Sequence, residues 1–163
     1  AGAPRRAPLR GGGRLSEIRF YQLTTTSLEQ ALPRVLEKVL ARGQRAVVVA
    51  GSDERVEAIA SALWTYDDRG FLPHGTAKDG FAADQPIWIA TRAENPNGAQ
   101  MLVLVDGVAP PDLAPWPSLC LFFDDADPAA LAGTRDLWKR WKAEGHEVRY
   151  FRQGERGAWE QAG

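Results

Sequence analysis

Arg45-Ala46-Val47-Val48-Val49-Ala50 decides the fold. Three consecutive valines with no polar residue between them do not suit a strand with one wet face; they suit a parallel strand covered on both sides. Its neighbours fix its place. Upstream, Ser27 and Gln30 make a capping-box pattern, and Leu28, Ala31, Leu32, Val35, Leu36, Val39 and Leu40 follow at helical spacing as far as Gly43. Pro33 falls just beyond the first turn, so it either removes one backbone bond and bends the helix or marks its true start. Further upstream, Ile18-Arg19-Phe20-Tyr21-Gln22-Leu23 is short, aromatic and partly alternating, as a strand should be. Downstream, Asp53 is suited to cap a second helix whose apolar stripe is Val56, Ile59, Ala60, Leu63 and Trp64.

The remainder continues the alternation. Gly75 to Gln85 is rich in Gly, Ala and Asp and reads as a loop. Pro86 to Ala90, Met101 to Val105 and Ser118 to Phe123 read as strands, with turns at Asn95-Pro96-Asn97-Gly98 and Pro110-Pro111. A last helix starts near Asp127-Pro128, where Asp can cap and Pro can occupy the first turn, and ends by Gly145; Glu147 to Arg152 is a final short strand. The expectation is an α/β fold: a Rossmann-like, mostly parallel sheet flanked by helices with right-handed crossovers, in a single domain. Residues 1–15 read as a disordered Gly/Pro/Arg-rich extension, residues 16–153 as the α/β domain and residues 154–163 as a C-terminal tail.

Composition sets outer limits. A chain of 163 residues is one domain by size, and 44% hydrophobic with 25% charged residues is ordinary for a globular protein. No apolar run approaches the roughly 20 residues of a membrane-spanning helix. The single cysteine, Cys120, sits in the apolar run Leu119 to Phe123, so it reads as a buried small hydrophobe without an internal disulfide, as suits a reducing cytoplasm. The net charge of -1 gives no whole-molecule attraction to nucleic acid. Arg5, Arg6, Arg10 and Arg14 make a local cationic stretch that suits at most weak, salt-sensitive contact.

Enzyme chemistry has little to stand on. A nucleotide site in such a sheet needs glycines in a strand-to-helix turn, but the first turn is Leu23-Thr24-Thr25-Thr26-Ser27 and the second Ala50-Gly51-Ser52-Asp53-Glu54. Neither has a phosphate-loop pattern, and the acids of the second would repel phosphate. Asp124-Asp125-Ala126-Asp127 follows a buried strand, where it fits either a Mg²⁺ site or, more simply, a helix cap. His74 and His146 are far apart, with no zinc-ligand spacing and no G-x-S-x-G elbow beside either.

Two stretches suit partner binding instead. In Leu63-Trp64-Thr65-Tyr66-Asp67-Asp68-Arg69-Gly70-Phe71-Leu72-Pro73-His74, large aromatics bracket a charged turn, so Trp64, Phe71 and Leu72 are either core or a rigid apolar knob. On the last helix, Arg135, Trp138, Lys139 and Lys142 are spaced by three, four and seven, which sets them along one face. The stripe Ala130, Thr134, Leu137 and Trp141 is apolar enough to face the sheet, leaving the cationic stripe outward. That ridge is either a solvated helix end or a seat for an acidic peptide with an apolar end.

Leu-Trp, six intervening residues, then Phe-Leu-Pro-His, set between a second helix and a later apolar strand, resembles the chi subunit of bacterial DNA polymerase III holoenzyme. The resemblance runs from Phe20-Tyr21-Gln22-Leu23 to Arg135-Asp136-Leu137-Trp138-Lys139-Arg140-Trp141-Lys142. It implies a Rossmann-like fold and a noncatalytic clamp-loader accessory without cofactor, working in the cytoplasmic replisome and touching DNA only indirectly. It implies that Arg135, Trp138, Lys139 and Lys142 receive the acidic C-terminal tail of single-stranded DNA-binding protein. It implies that Trp64, Phe71 and Leu72 dock a psi subunit or a helicase-type partner. Trp138 departs from the smaller phenolic ring of the familiar pattern but keeps an aromatic wall. The competing reading is a nucleotide- or sugar-phosphate-binding enzyme on the same fold.

Overall fold

The computed structural model describes residues 15–67 and 72–163. In chain order the elements are β1 (Glu17–Leu23), α1 (Leu28–Ala41), β2 (Ala46–Val49), α2 (Asp53–Thr65), β3 (His74–Gly75), β4 (Ile87–Ala90), β5 (Met101–Leu104), β6 (Ser118–Asp124), α3 (Pro128–Ala143), β7 (Glu147–Gln153) and β8 (Trp159–Gln161). They build one eight-stranded sheet in the order β3-β4-β2-β5-β6-β1-β7-β8. All neighbours are parallel except the antiparallel β7–β8 pair. The mostly parallel sheet flanked by helices is the architecture expected from the sequence.

Helices cover both faces, which is why the central strands carry no polar alternation. All four residues of β2 and all four of β5 are buried. On one face, Leu32, Leu36 and Val39 of α1 and Val56, Ile59 and Leu63 of α2 pack over Val48, Ile89, Val103 and Phe122. On the other, Trp141 of α3 is wholly buried among Ile18, Phe20, Leu119 and Leu121, and Trp116 and Leu113 extend that layer. Cys120 lies within the first layer, its Sγ 3.5 Å from Met101 Sδ.

Local signals account for most boundaries. The Ser27 hydroxyl accepts from Gln30 N while the Gln30 side chain accepts from Ser27 N, a complete capping box. Helix α1 therefore starts at Leu28, and Pro33 sits inside a continuous helix instead of opening it. Asp127 caps α3 by accepting from Ala129 N and Ala130 N, with Pro128 in the first turn.

Three expectations change. Ser52, not Asp53, caps α2: its hydroxyl accepts from Arg55 N, and Asp53 falls in the first turn, where its charge favours the positive end of the helix dipole. The stretch Gly75 to Gln85 is not wholly loop, because His74–Gly75 pairs with β4 and Ala82–Asp84 forms a short 3-10 turn. Residues 154–163, read as a tail, turn back at Gly157 (φ 82°) so that Trp159–Gln161 pairs with β7. The arginine-rich extension at residues 1–14, and with it Arg5, Arg6, Arg10 and Arg14, lies outside the described residues, as does Phe71.

Gln153 ties this hairpin to the first strand-to-helix turn. Its Oε1 accepts from the backbone N of Thr24, Thr25 and Thr26, at 2.9, 3.0 and 3.2 Å, and its Nε2 donates to Thr26 Oγ1. A buried amide thus satisfies three amides that no strand or helix reaches.

Candidate functional site

The C-terminal half of α3 is clamped to the sheet by two tryptophans, and its N-terminal half by the smaller Leu131 and Thr134. Trp141 and Trp138 bear on Phe20 with ring centroids at 5.8 and 5.3 Å, whereas Ala129, Ala130 and Gly133 bring little side chain to the cavity wall beside the first turns. A cavity consequently opens on each side of that half, and both are lined by Phe123 and Thr134.

The smaller cavity, about 360 Å³, has a roof from one helical stripe: Leu131, Thr134, Arg135 and Trp138, at i, i+3, i+4 and i+7. Its floor is two rows of the sheet. Phe123, Gln22 and Arg152 lie side by side on β6, β1 and β7, and behind them Leu121, Phe20 and Tyr150 form the next row. Of these, Phe20, Gln22, Phe123, Tyr150 and Arg152 line the cavity. Asp125 is its one carboxylate, and Gln22 Nε2 donates to it. The result is an apolar, aromatic pocket with guanidinium groups on two different walls.

Of the four ridge residues read from sequence, Arg135 and Trp138 line this pocket. Arg135 is exposed; Trp138 is half-buried, edge-on to Phe20 and to Tyr150. Lys139 and Lys142 are exposed beyond the pocket, and Lys142 Nζ stands 5.2 Å from the Trp138 ring centroid, in cation–π range. In the stripe expected to face the sheet, Thr134 and Trp141 are buried and Leu137 half-buried, but Ala130 is exposed and Leu131 takes its place against the sheet. Arg152, missed in the sequence, is the second guanidinium of the pocket. Its only sequence signal is alternation: with Val148 and Tyr150 on the α3 face, Arg152 two residues on must share it.

The larger cavity, about 730 Å³, sits at the carboxyl ends of β1, β5 and β6, where open sheets bind ligands. Glu29, Asp106, Asp124, Asp127 and Asp136 line it, and its one cation, Arg55, is held by Asp106 through two 3.2 Å hydrogen bonds. Asp106 also accepts from Gly51 N at 2.8 Å, bridging the β2 and β5 ends. Such a lining repels phosphate.

The Trp64 region divides. Trp64 is 60% exposed at the end of α2, its ring edge-on to His74 with centroids 5.0 Å apart, whereas Leu72 is 2% exposed and belongs to the core with Leu63 and Ile59. Burial removes Leu72 from any docking surface; its side chain completes the core under α2. His74 Nδ1 lies 2.7 Å from the Leu72 carbonyl, which fixes the turn histidine to backbone. Phe81, on the loop after β3, is 78% exposed and held at φ 54°, a left-handed conformation uncommon for a bulky residue. Sequence reading did not single it out, because nothing local distinguishes an exposed loop Phe from a buried one.

Together these features define a three-layer α/β protein with an aromatic, arginine-rimmed pocket under its last helix. The chain belongs to the DNA polymerase III chi subunit (HolC) family, whose model matches residues 15–149. Over 100 residues it is 30% identical to a protein of Rickettsia prowazekii (strain Madrid E) described as a probable DNA polymerase III subunit chi; the alignment takes in 61% of this chain and 59% of that relative's length. The family match takes in Trp64, Arg135, Trp138, Lys139 and Lys142 and ends before Arg152.

Proposed function

We propose that this protein is a noncatalytic accessory subunit of a replicative DNA polymerase III assembly that holds the acidic C-terminal tail of single-stranded DNA-binding protein in the pocket under α3. The observation that carries the reading is the pocket itself: an aromatic cavity of about 360 Å³ with Arg135 on its roof and cationic Lys139 and Lys142 on the ridge beyond. An acidic run lies along that ridge while an apolar residue enters the cavity, so Coulomb attraction steers the tail and burial of the apolar side chain retains it.

A second contact completes an adaptor. Trp64 stands beside β3, the edge of the sheet farthest from β7 and β8, and on the face opposite α3. Five strand spacings, roughly 24 Å, separate β3 from β1, so a clamp-loader protein such as a psi subunit, or a helicase-type partner, docks at Trp64 without obstructing the tail. Two modest contacts on one rigid body raise the effective concentration of each partner for the other.

Calorimetry with an acidic peptide ending Asp-Ile-Pro-Phe tests the first contact. Binding that weakens with rising salt, and at least tenfold with Arg135→Ala, supports it; undiminished binding to that variant assigns the peptide elsewhere. The family match and the cation-poor larger cavity both weigh against a nucleotide-binding enzyme, and a nucleotide screen read by thermal shift checks this directly.

A further inference from the structure

We propose that the larger cavity, at the carboxyl ends of β1, β5 and β6, binds a small aliphatic polyamine, an alkyl chain carrying several ammonium groups. Its lining shares only Phe123 and Thr134 with the tail pocket, and the inference does not depend on what that pocket holds.

The lining combines an apolar surface with an excess of negative charge. Leu23, Val105, Leu121, Phe122 and Phe123, from the ends of three adjacent strands, supply the apolar part. Five carboxylates, of Glu29, Asp106, Asp124, Asp127 and Asp136, share the lining with the single guanidinium of Arg55, which leaves four negative charges uncompensated in about 730 Å³. Helix capping accounts for only part of this. Asp127 caps α3 and Glu29 lies in the first turn of α1, where the helix dipole favours an acid. Asp136 lies beyond the first turn of α3 and Asp124 ends β6, and among the described residues neither makes an ion pair. With a net charge of -1 for the whole chain, the negative field is concentrated here.

Thr134 points independently to a ligand. It is 8% exposed and lines this cavity, yet its hydroxyl has no hydrogen-bond partner among the described residues. A buried hydroxyl calls for a partner, and the N–H of a bound ammonium supplies one. The kind of cation follows from how the acids are spread. Among the described residues no three acidic, histidine or cysteine side chains are grouped closely enough to hold a metal ion, so the charge suits a cation that is itself distributed along a chain. Alkylammonium groups stay protonated at neutral pH, and each can meet a different carboxylate. The methylenes between them cover the apolar surface, as lysine stems do elsewhere on proteins. Open α/β sheets hold small ligands at their carboxyl ends, and the volume lies within the ordinary range of small-molecule sites.

The test is calorimetry with spermidine at fixed ionic strength, on wild type and on the double variant Asp124→Asn, Asp136→Asn. Asparagine can still accept from Ala126 N, and Asp136 is exposed, so the variant keeps its fold, as checked by thermal melting. Spermidine is expected to bind wild type saturably and the double variant about tenfold more weakly or worse. Thr134→Val, which keeps the shape and removes the hydroxyl, should weaken binding by a smaller factor. Butylamine, with a single ammonium, and MgCl2 at the same ionic strength should bind far less well than spermidine. Undiminished spermidine binding to the double variant puts the ligand elsewhere and overturns the assignment. An equal response to Mg²⁺ reduces the site to bulk charge and overturns it too. A trilysine peptide that binds where spermidine does not would make the cavity a protein-docking site and overturn the small-molecule reading. Binding of the acidic-tail peptide, measured separately, stands or falls apart from each of these outcomes.

Discussion

Trp138 stands edge-on to Phe20, ring centroids 5.3 Å apart and planes inclined by 68°. One face of the contact is core, since Phe20 is buried at the centre of the α3 layer, and the other is the pocket wall. The residue therefore has two separable jobs, holding α3 to the sheet and lining the cavity.

Replacing Trp138 should expose both. Trp138→Ala is expected to destabilise by about 2 kcal/mol, less than a fully buried Trp because half its surface is already wet, and to weaken tail-peptide binding. Trp138→Tyr should recover much of each, because a phenol ring can still meet Phe20 edge-on. Urea unfolding and calorimetry on the same two variants check this, and equal peptide affinity for wild type and Trp138→Ala would take the residue out of the site.

Leu72 and Trp64 should behave oppositely although both flank one turn. Leu72→Ala leaves a cavity under α2 and is expected to cost about 2–5 kcal/mol; Trp64→Ala, at an exposed position, should cost no more than about 1 kcal/mol while reducing capture of clamp-loader partners. Denaturation midpoints with a pull-down from purified components separate the two.

Gln153→Leu should cost about 1–3 kcal/mol, the desolvation of backbone amides left without an acceptor. The loss is local to the turn at Thr24–Thr26, so hydrogen exchange at those three amides should accelerate before that of β1.

Burial pushes the Cys120 thiol up to about 12. The folded protein thus keeps the proton where the unfolded chain, near 9, has lost it. The resulting stability is whole below pH 9 and declines as pH rises from about 9 toward about 12. Cys120→Ala should flatten that part of the stability–pH curve, and a thiol reagent at pH 8 should label Cys120 only after denaturant is added.

Much of the fold is legible because its signals are local. Ser27 with Gln30, and Asp127 with Pro128, announce helix starts whose hydrogen bonds span three residues or fewer, and Val47-Val48-Val49 announces a doubly covered strand. Where two local candidates compete, the sequence does not choose. Ser52 and Asp53 are both good caps, and the extended backbone at Ser52 (ψ 166°) decided between them. Strand β8 and the two-residue β3 escaped notice because each is too short to show a period and is recognised only by its partner.

The chain on its own determined the alternation of strands and helices, the cationic stripe on α3 and the lack of a phosphate loop, because each is written in residues a few positions apart. Only the tertiary structure decided that Leu72 is core, that Trp64 is surface, and that Arg135 shares its pocket with Arg152 while Lys139 and Lys142 do not. The reason is lateral register: Phe123, Gln22 and Arg152 become neighbours through hydrogen bonding between strands distant in the chain, and no periodicity within one strand encodes what lies beside it.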